Sequence, residues 1–369
     1  MRTKPIAALL YVMLILMLIT PTACQSNQPE VSPSGEEQAA QPPVTQESVV
    51  STSFENSWIF ADFSEFSVEG PLIPGLNQQL IPQGMAYWEA ERKMVISNYM
   101  DDFTAGALTV IDMDTNLLDA VLYLHNHDGS PHKGHLGGLA ISREHLWIAS
   151  GPGIYAVSLS VISAAENHGI ITLPEPVETE TKASFATFHD GVLWIGEFVS
   201  ADGNYSVAKA HHLTTRTDDF NKAWMGGYRL DPVSQSLSDS YSTGNKLVPD
   251  YILSIPDEVQ GAVFAGDRLF LSASYGRRNN SRLLIFDSPL DEPAHKRIDL
   301  TGQSPTPLWF LDELNQNDEV TLPPMSEAAV LYGEWIAVLF ESASIRYRGS
   351  AANPVDRIYL VSQDIESSE

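Results

Sequence analysis

Four of the ten histidines lie in one stretch, residues 125–138, which reads HNHDGSPHKGHLGG. A neutral imidazole can bind a metal ion or act as a general base near neutral pH. His125 and His127 would share one face of an extended chain, whereas the DGSP segment after them predicts a turn. Because neither a cysteine nor a fixed ligand spacing accompanies them, we favour a polar loop over a zinc cluster. His135 differs from the others, since it lies two residues before the glycine pair that permits a close backbone approach.

Three glutamates are candidates for carboxylate chemistry. Glu197 in WIGEF and Glu341 in VLFES interrupt apolar runs, and Glu327 follows PPMS. A charge in an apolar run is costly unless it is paired or bound. Two carboxylates flanking a bond could hydrolyse a glycoside, and the same oxygens could form a calcium site. A solvated strand end, or a carboxylate held by neighbouring backbone, explains the pattern equally well.

Arg277, in the motif SYGRR, is the candidate for anion recognition. A guanidinium can bind a carboxylate with two parallel hydrogen bonds, so it could hold an anionic ligand or pair with one of the glutamates. A purely structural salt bridge is also compatible with the sequence. The HHL segment (211–213) stands in a long polar insertion and is predicted to be an exposed loop.

Motifs that would identify a reaction are absent from the sequence. It contains no G-x-S-x-G nucleophile elbow, no phosphate-binding P-loop and no H-E-x-x-H. Cys24 is the only cysteine, which excludes a cysteine-based metal site. Whether the protein is an enzyme therefore stays open at this stage.

The elements that must position these residues are short strands in a repeated pattern. Each repeat has an apolar strand, a turn with Asp, Glu or Gly, and a second strand rich in Leu, Trp, Ile and Val. The five stretches are QGMAYWEAERKMVISNYM (83–100), GGLAISREHLWIASG (137–151), ASFATFHDGVLWIGEF (183–198), QGAVFAGDRLFLSASYG (260–276) and SEAAVLYGEWIAVLFES (326–342). Third strands follow, and fourth strands are predicted in DAVLYLHN, GIITLPEP, DYILSIPD and KRIDLTG.

This pattern predicts an all-β protein, specifically a β-propeller. Five blades are favoured, and a sixth could occupy residues 200–250, where the spacing widens. The segment 56–68, ahead of the first repeat, is predicted to supply the last strand and close the ring. A short helix is predicted over 160–169.

In propellers the first strand of each blade lines the axis, and this analogy selects equivalent positions for a binding site. The candidates at the axial mouth are Gln83, Asn98, His135, Ser184, Glu197, Gln260, Arg277, Glu327 and Glu341.

The N-terminal part predicts export and lipid anchoring. Residues 1–23 combine two basic residues, an apolar run and small residues ahead of Cys24, as in a bacterial lipoprotein signal peptide. Pro21 departs from the leucine usual in that motif. Residues 24–52, rich in Gln, Pro, Ser and Glu, predict a disordered tether, and 53–369 the propeller. We expect lipidation at Cys24 and a location outside the cytoplasmic membrane, on its outer face or in the periplasm or outer membrane.

The charge restricts the partners. The formal net charge of −26 argues against nucleic acid, which requires a basic surface. It also argues against docking of the folded domain on anionic lipid, so the only membrane contact expected is the N-terminal lipid anchor. Cationic partners and divalent ions remain compatible with it.

The segments IPQGMAYW, GHLGGLAI, SFATFHDGVLWIGEF, VQGAVFAGDRLFLSASYGR and PPMSEAAVLYGEWIAVLFESAS resemble a family of secreted bacterial propeller-like lipoproteins of unknown function. The resemblance covers most of residues 75–365 and implies the propeller fold but no established reaction. The architecture is also distantly similar to calcium-dependent lactonase and arylesterase propellers. Their metal ligands cannot be matched residue by residue, so no ligands are carried over.

Two functional hypotheses follow. The first is an anchored protein that binds a small molecule or a cell-surface partner at the axial mouth. The second is an extracellular lactonase- or esterase-like hydrolase with a divalent cation, calcium being the candidate, on the propeller axis. The starts of the inner strands are polar but poor in carboxylates, which favours binding.

Overall fold

The structure is a computed structural model that describes residues 42–52, 60–100, 104–151, 153–237, 245–302 and 304–365. The predicted signal peptide, Cys24 and the first part of the predicted tether lie outside the described residues.

Short β-strands are the predominant regular structure of the described chain. In order they are β1 Ser67–Leu72, β2 Leu80–Trp88, β3 Lys93–Met100, β4 Ala107–Asp112, β5 Leu117–His125, β6 Gly138–Ile141, β7 His145–Ser150, β8 Gly153–Ser158, β9 Ile170–Thr172, β10 Val177–Glu178, β11 Phe185–His189, β12 Val192–Gly196, β13 Leu213–Thr214, β14 Phe220–Asn221, β15 Ala223–Arg229, β16 Tyr251–Ile255, β17 Val259–Ala265, β18 Arg268–Ala273, β19 Ser281–Asp287, β20 Lys296–Ile298, β21 Thr306–Phe310, β22 Gln316–Leu322, β23 Ser326–Tyr332, β24 Trp335–Phe340 and β25 Arg357–Ser362.

Helical segments are few and short. The α-helices are α1 Ala61–Glu65 and α2 Leu159–Ala164, and 3-10 turns cover Gln46–Ser48, Glu89–Glu91, Lys209–His211 and Pro289–Asp291. The predicted helix over 160–169 is therefore present but ends sooner, at Ala164. In the part of the chain that the structure describes, no helix is long and apolar enough to cross a bilayer.

The strands form five blades of four antiparallel strands each. From the axis outwards the blades are β2-β3-β4-β5, β6-β7-β8-β10, β11-β12-β15-β16, β17-β18-β19-β22 and β23-β24-β25-β1. Each inner strand packs against the inner strand of the next blade, and β23 packs against β2, so the ring is closed. The five-blade propeller is confirmed. The described part of 200–250 holds the hairpin β13–β14 and strand β15 of blade three, not a sixth blade.

The N-terminal strand closes the ring, as predicted. Strand β1 pairs with β25 in antiparallel register, Ser67 opposite Val361. The strand begins later than predicted, because Ala61–Glu65 form α1, and residues 56–59 of the predicted segment lie outside the described residues. Phe60 and Phe63, three residues apart, are 3 % exposed and pack into the core with Phe340 instead of alternating along a strand.

Two predicted fourth strands belong to neighbouring blades. Ile170–Thr172 (β9) pairs in parallel with β5 of blade one, and Val177–Glu178 (β10) is the outer strand of blade two. Lys296–Ile298 (β20) joins blade three through β21, and β22 is the outer strand of blade four. The chain between β5 and β9, and between β16 and β21, is long enough to return and pair in parallel with the preceding sheet. A short turn can connect only antiparallel strands.

The described residues of the predicted tether lie against the propeller. Val44 is 3 % exposed and packs with Leu80 and Val121. The Thr52 amide donates a 2.7 Å hydrogen bond to Asp356 Oδ2. The ordered domain therefore begins before residue 53, the boundary expected from composition.

Glycines allow the inner strands to approach each other closely. A Cβ atom on Gly138 of β6 would lie 2.5 Å from Phe185 Cα and from the Ala186 amide nitrogen of β11. A Cβ atom on Gly84 of β2 would lie 2.7 Å from Gly138 Cα on the other side. Both distances are shorter than real Cβ contacts, so these glycines set the spacing of blades one to three.

Gly138→Ala is expected to lower the free energy of unfolding by about 1–3 kcal/mol, because the added methyl group forces two backbones apart. The measurement is urea unfolding followed by tryptophan fluorescence. Gly349→Ala is the control, since nothing lies within 4 Å of the methyl group it would add. Equal stability of the two variants would contradict the close-approach argument.

Candidate functional site

The five blades surround one cavity of about 610 Å³ at the propeller axis. Each blade contributes residues from the beginning of its inner strand or the segment before it: Gln83, Gly137, Ser184, Gln260 and Glu327. This volume is typical of small-molecule sites, and its walls combine aromatic and polar side chains.

Seven of the nine residues predicted at the axial mouth line this cavity. They are Gln83, His135, Ser184, Gln260, Arg277, Glu327 and Glu341. The repeat therefore selected residues that lie together, because equivalent positions in successive blades meet at the axis.

Asn98 does not line the cavity, and its predicted place there is corrected. The side chain is fully buried in blade one, where Nδ2 donates hydrogen bonds to Ile96 O (3.1 Å) and Thr109 Oγ1 (3.2 Å). Successive side chains of a strand point to opposite faces. The next residue, Tyr99, is the one that reaches the cavity.

Glu197 does not line the cavity either. The side chain is 1 % exposed and accepts hydrogen bonds from His211 Nδ1 (2.9 Å), the Trp224 amide (3.0 Å) and the Lys182 amide (3.1 Å). The prediction of an exposed HHL loop was wrong for His211, which is 3 % exposed and stacks on Trp224. Glu197 therefore connects the blade-three insertion to its sheet. This is the structural role that was considered, from the sequence, as the alternative to a functional one.

Glu327 and Glu341 form the floor of the cavity and hydrogen-bond to each other. Glu327 is 3 % exposed, whereas Glu341 is partly accessible through the cavity. Gln83 Nε2 donates to Glu341 Oε2 (2.9 Å), and Gln260 Nε2 donates more weakly to Glu327 Oε1 (3.4 Å). Two glutamates from one blade thus face two glutamines from two others.

The carboxyl pair retains protons at neutral pH. Burial raises the pKa of Glu341 to about 8. Burial, and next the charge of Glu341, raise the pKa of Glu327 well above its ordinary value. Burial disfavours the charged form of two adjacent carboxyls, and the nearby charges of Arg277 and Arg346 offset this effect at Glu341 only in part. The floor can therefore donate as well as accept hydrogen bonds.

One wall of the cavity is built from Tyr99, Tyr347 and His135. The two tyrosine hydroxyls lie 2.7 Å apart, and the His135 ring stacks on Tyr99 with ring centres 4.4 Å apart. His135 is accessible from the cavity but is surrounded by protein, and this partial burial lowers its pKa. A neutral imidazole is thus available at pH 7 to accept or donate one hydrogen bond.

Arg277 lies on the same side of the cavity. Its guanidinium carbon is 4.9 Å from the centre of the Tyr347 ring, and Nη1 donates to Ser350 Oγ (3.1 Å). Among the residues that the structure describes, no carboxylate lies within salt-bridge distance of Arg277. The structural salt bridge that was considered for Arg277 is therefore not formed with any carboxylate in the part of the chain that the structure describes.

Another part of the cavity wall is an aromatic cluster that was not predicted from the sequence. Phe198, Tyr205 and Tyr275 contact one another, with ring centres 5.3–6.2 Å apart. Tyr275 donates to Asp202 Oδ2 (2.8 Å), which ties the cluster to the blade-three insertion. A signal was available, because Tyr99, Phe198 and Tyr275 each directly follow a predicted end of a second strand.

The histidine-rich stretch is a polar connection between blades one and two. His132 is buried and bridges Asn126 Oδ1 (2.7 Å) and Ser150 Oγ (2.9 Å), whereas His127 pairs at the surface with Glu175. Within the described ranges no three His, Cys, Asp or Glu side chains are grouped to hold a metal ion. Of the four histidines in this stretch, only His135 lines the cavity.

The carboxyl pair makes stability depend on pH. The pKa values are higher in the folded than in the unfolded chain, so the folded state keeps protons that the unfolded state releases between about pH 4.5 and 8. The free energy of unfolding therefore falls as pH rises, by up to about 1.4 kcal/mol per pH unit for one retained proton.

We expect Glu341→Gln to flatten this dependence in thermal unfolding from pH 5 to 8. The exposed Glu313→Gln serves as control, and equal slopes in both variants would contradict the prediction.

Comparisons with known proteins assign no family to the chain. No family model matches the chain, and no curated protein matches it. A GH43_1 enzyme from Xanthomonas citri complexed with xylotriose has a TM-score of 0.45 and 9 % identity over 83 % of this chain and 93 % of its own. A gluconolactonase from Xanthomonas campestris has a TM-score of 0.38 and 12 % identity, over 80 % of this chain and 96 % of its own. A glutaminyl cyclase from Myxococcus xanthus has a TM-score of 0.39 and 9 % identity, over 80 % and 93 % respectively. Likenesses this distant do not assign an activity.

Proposed function

We propose that this protein is an exported, lipid-anchored propeller that binds a small ligand in its axial cavity. The observation that supports this most directly is the convergence of all five blades on one cavity of about 610 Å³ with a polar floor. Glutamine, serine and carboxyl groups at that floor can hydrogen-bond a polar ligand, while the aromatic walls cover its apolar faces.

The site is organised before the ligand arrives. Gln83 is held by hydrogen bonds to Pro82 O and Glu341, and His135 is held by stacking on Tyr99. Side chains already fixed in one conformation lose less entropy on binding than mobile ones, which favours affinity in a small site.

The anchoring part of the proposal rests on the sequence. A lipid on Cys24 would place the propeller outside the cytoplasmic membrane, and the Gln-, Pro- and Ser-rich segment after it would separate the two. Potential partners are then small molecules outside the cell or other cell-surface components.

One observation favours a second candidate, the lactonase- or esterase-like hydrolase. Glu327 and Glu341 face the cavity as a pair that retains protons, and such a carboxyl can act as a general acid. In their ionised form, which a bound cation would favour, their oxygens and the amide oxygens of Gln83 and Gln260 are of the type that calcium prefers. A bound calcium ion would polarise a carbonyl group. Calcium uptake with hydrolysis of a lactone or ester panel, both lost in Glu341→Gln but not in Glu313→Gln, would favour this candidate over binding alone.

Ligand binding in the cavity is testable by blocking it. The experiment is a screen of sugars, amino acids, organic acids and amines against the full-length chain in detergent. A ligand that binds the folded chain is expected to increase its Tm. Ser184→Trp, which places an indole in the cavity, is expected to abolish the Tm increase given by any ligand found. Ser304→Trp, at an exposed loop position, is expected to retain it.

His135→Ala provides a second variant in case Ser184→Trp does not fold. The loss of its ring from the cavity wall is expected to weaken binding about tenfold. Ligands that bind all three variants as tightly as the unchanged protein would place binding elsewhere and overturn the proposal.

Lipid anchoring is tested through Cys24. In bacterial cells grown with an alkyne-labelled fatty acid, the unchanged chain is expected to carry the label and fractionate with membranes. Cys24→Ser is expected to lose the label, because the thiol that carries the diacylglycerol is missing. Labelling that persists in Cys24→Ser would contradict the anchor.

A further inference from the structure

Two basic residues line the cavity of a strongly acidic protein. The chain has 47 acidic and 21 basic residues, yet Arg277 and Lys182 both reach the cavity. Many other basic residues are paired with carboxylates, as Arg92 is with Asp114 and Arg216 with Asp312. In the described part of the chain neither Arg277 nor Lys182 has a carboxylate at salt-bridge distance.

Arg277 is held in place without being neutralised. The Tyr347 ring lies under its guanidinium, and Ser350 Oγ accepts from Nη1. Arg277 O accepts a 2.8 Å hydrogen bond from the Ala352 amide, which fixes the backbone. A guanidinium positioned in this way keeps several N–H donors for a ligand, and its planar fork matches a carboxylate.

The rest of the cavity matches hydroxyl groups. Gln83, Gln260 and Ser184 offer amide and hydroxyl groups along the floor, where the glutamine amides from blades one and four hydrogen-bond with the Glu327–Glu341 pair. The aromatic cluster of Phe198, Tyr205 and Tyr275 can cover the face of a small ring.

We propose, on the basis of the proposed binding function, that the ligand is a small organic acid with several hydroxyl groups. Its carboxylate binds Arg277 and Lys182, and its hydroxyl groups bind the glutamine, serine and glutamate floor. A monoanion is favoured over a dianionic phosphate, because the surrounding protein carries a large negative charge.

The test compares one sugar in three charge states. Isothermal titration of the full-length chain in detergent at pH 7 uses D-glucuronate, D-glucose and D-glucose 6-phosphate as probes. We expect glucuronate to bind about tenfold tighter than glucose, because one charge-assisted contact is added. Tighter binding of glucose 6-phosphate than of glucuronate would overturn the choice of a carboxylate.

Arg277→Gln is expected to remove the preference of about tenfold for glucuronate over glucose. Arg278→Gln is the matched control, since Arg278 is the next residue, is exposed and does not line the cavity. An equal loss of affinity for both sugars in Arg277→Gln would show that Arg277 supports the wall and does not recognise an anion, and would overturn the inference.

The two proposals can fail separately. If the unchanged chain binds neither glucuronate nor glucose, the hydroxylated-acid inference is overturned. Binding of any other compound that Ser184→Trp abolishes would then still support a cavity for small ligands.

Discussion

The structure depends on the close approach of five inner strands around one axis. Gly84, Gly138 and Gly261 lie where a side chain would meet the backbone of the next blade, at 2.7, 2.5 and 2.8 Å from the nearest Cα atom. This contact closes the ring and brings the beginnings of all five inner strands to one end. The polar side chains at those positions then line a single cavity, instead of being scattered over five separate sheets.

Glu197 and Glu341 show how neighbours decide the role of equivalent positions. Both follow the second strand of a blade. Around Glu197 the blade-three insertion supplies His211, and the Trp224 and Lys182 amides of the blade itself complete the hydrogen bonds that hold the carboxylate out of solvent. Glu341 receives one hydrogen bond from Gln83 and faces Glu327. One site is a structural anchor and the other has unused capacity for hydrogen bonds, although the two sequence contexts are alike.

The sequence predicted the five-blade propeller, the closing N-terminal strand and most of the cavity residues, because strand positions follow from a repeat that is visible along the chain. It misplaced Asn98 because a shift of one residue moves a side chain to the other face of a strand. The contact of His211 with Glu197 depends on how an insertion folds back, and the outer strands β9 and β20 depend on pairing with a neighbouring blade. Neither the folding back of an insertion nor pairing with another blade leaves a local pattern in the sequence. Two members of the aromatic wall, Phe198 and Tyr275, did leave one, since they share one position in the repeat with Tyr99.

The cavity differs in charge from the surface around it. A protein with a net charge of −26 repels anions at long range, yet salt at physiological strength screens such repulsion beyond about 8 Å. Within the cavity the Glu327–Glu341 pair retains protons, so its negative charge is smaller than two carboxylates would give. Arg277 and Lys182 are then the groups that set the local sign of charge. A site of this kind selects anions by direct contact and not by long-range attraction. It therefore favours ligands that are small enough to enter the cavity and that can exchange their hydrogen bonds with water for hydrogen bonds with the floor residues.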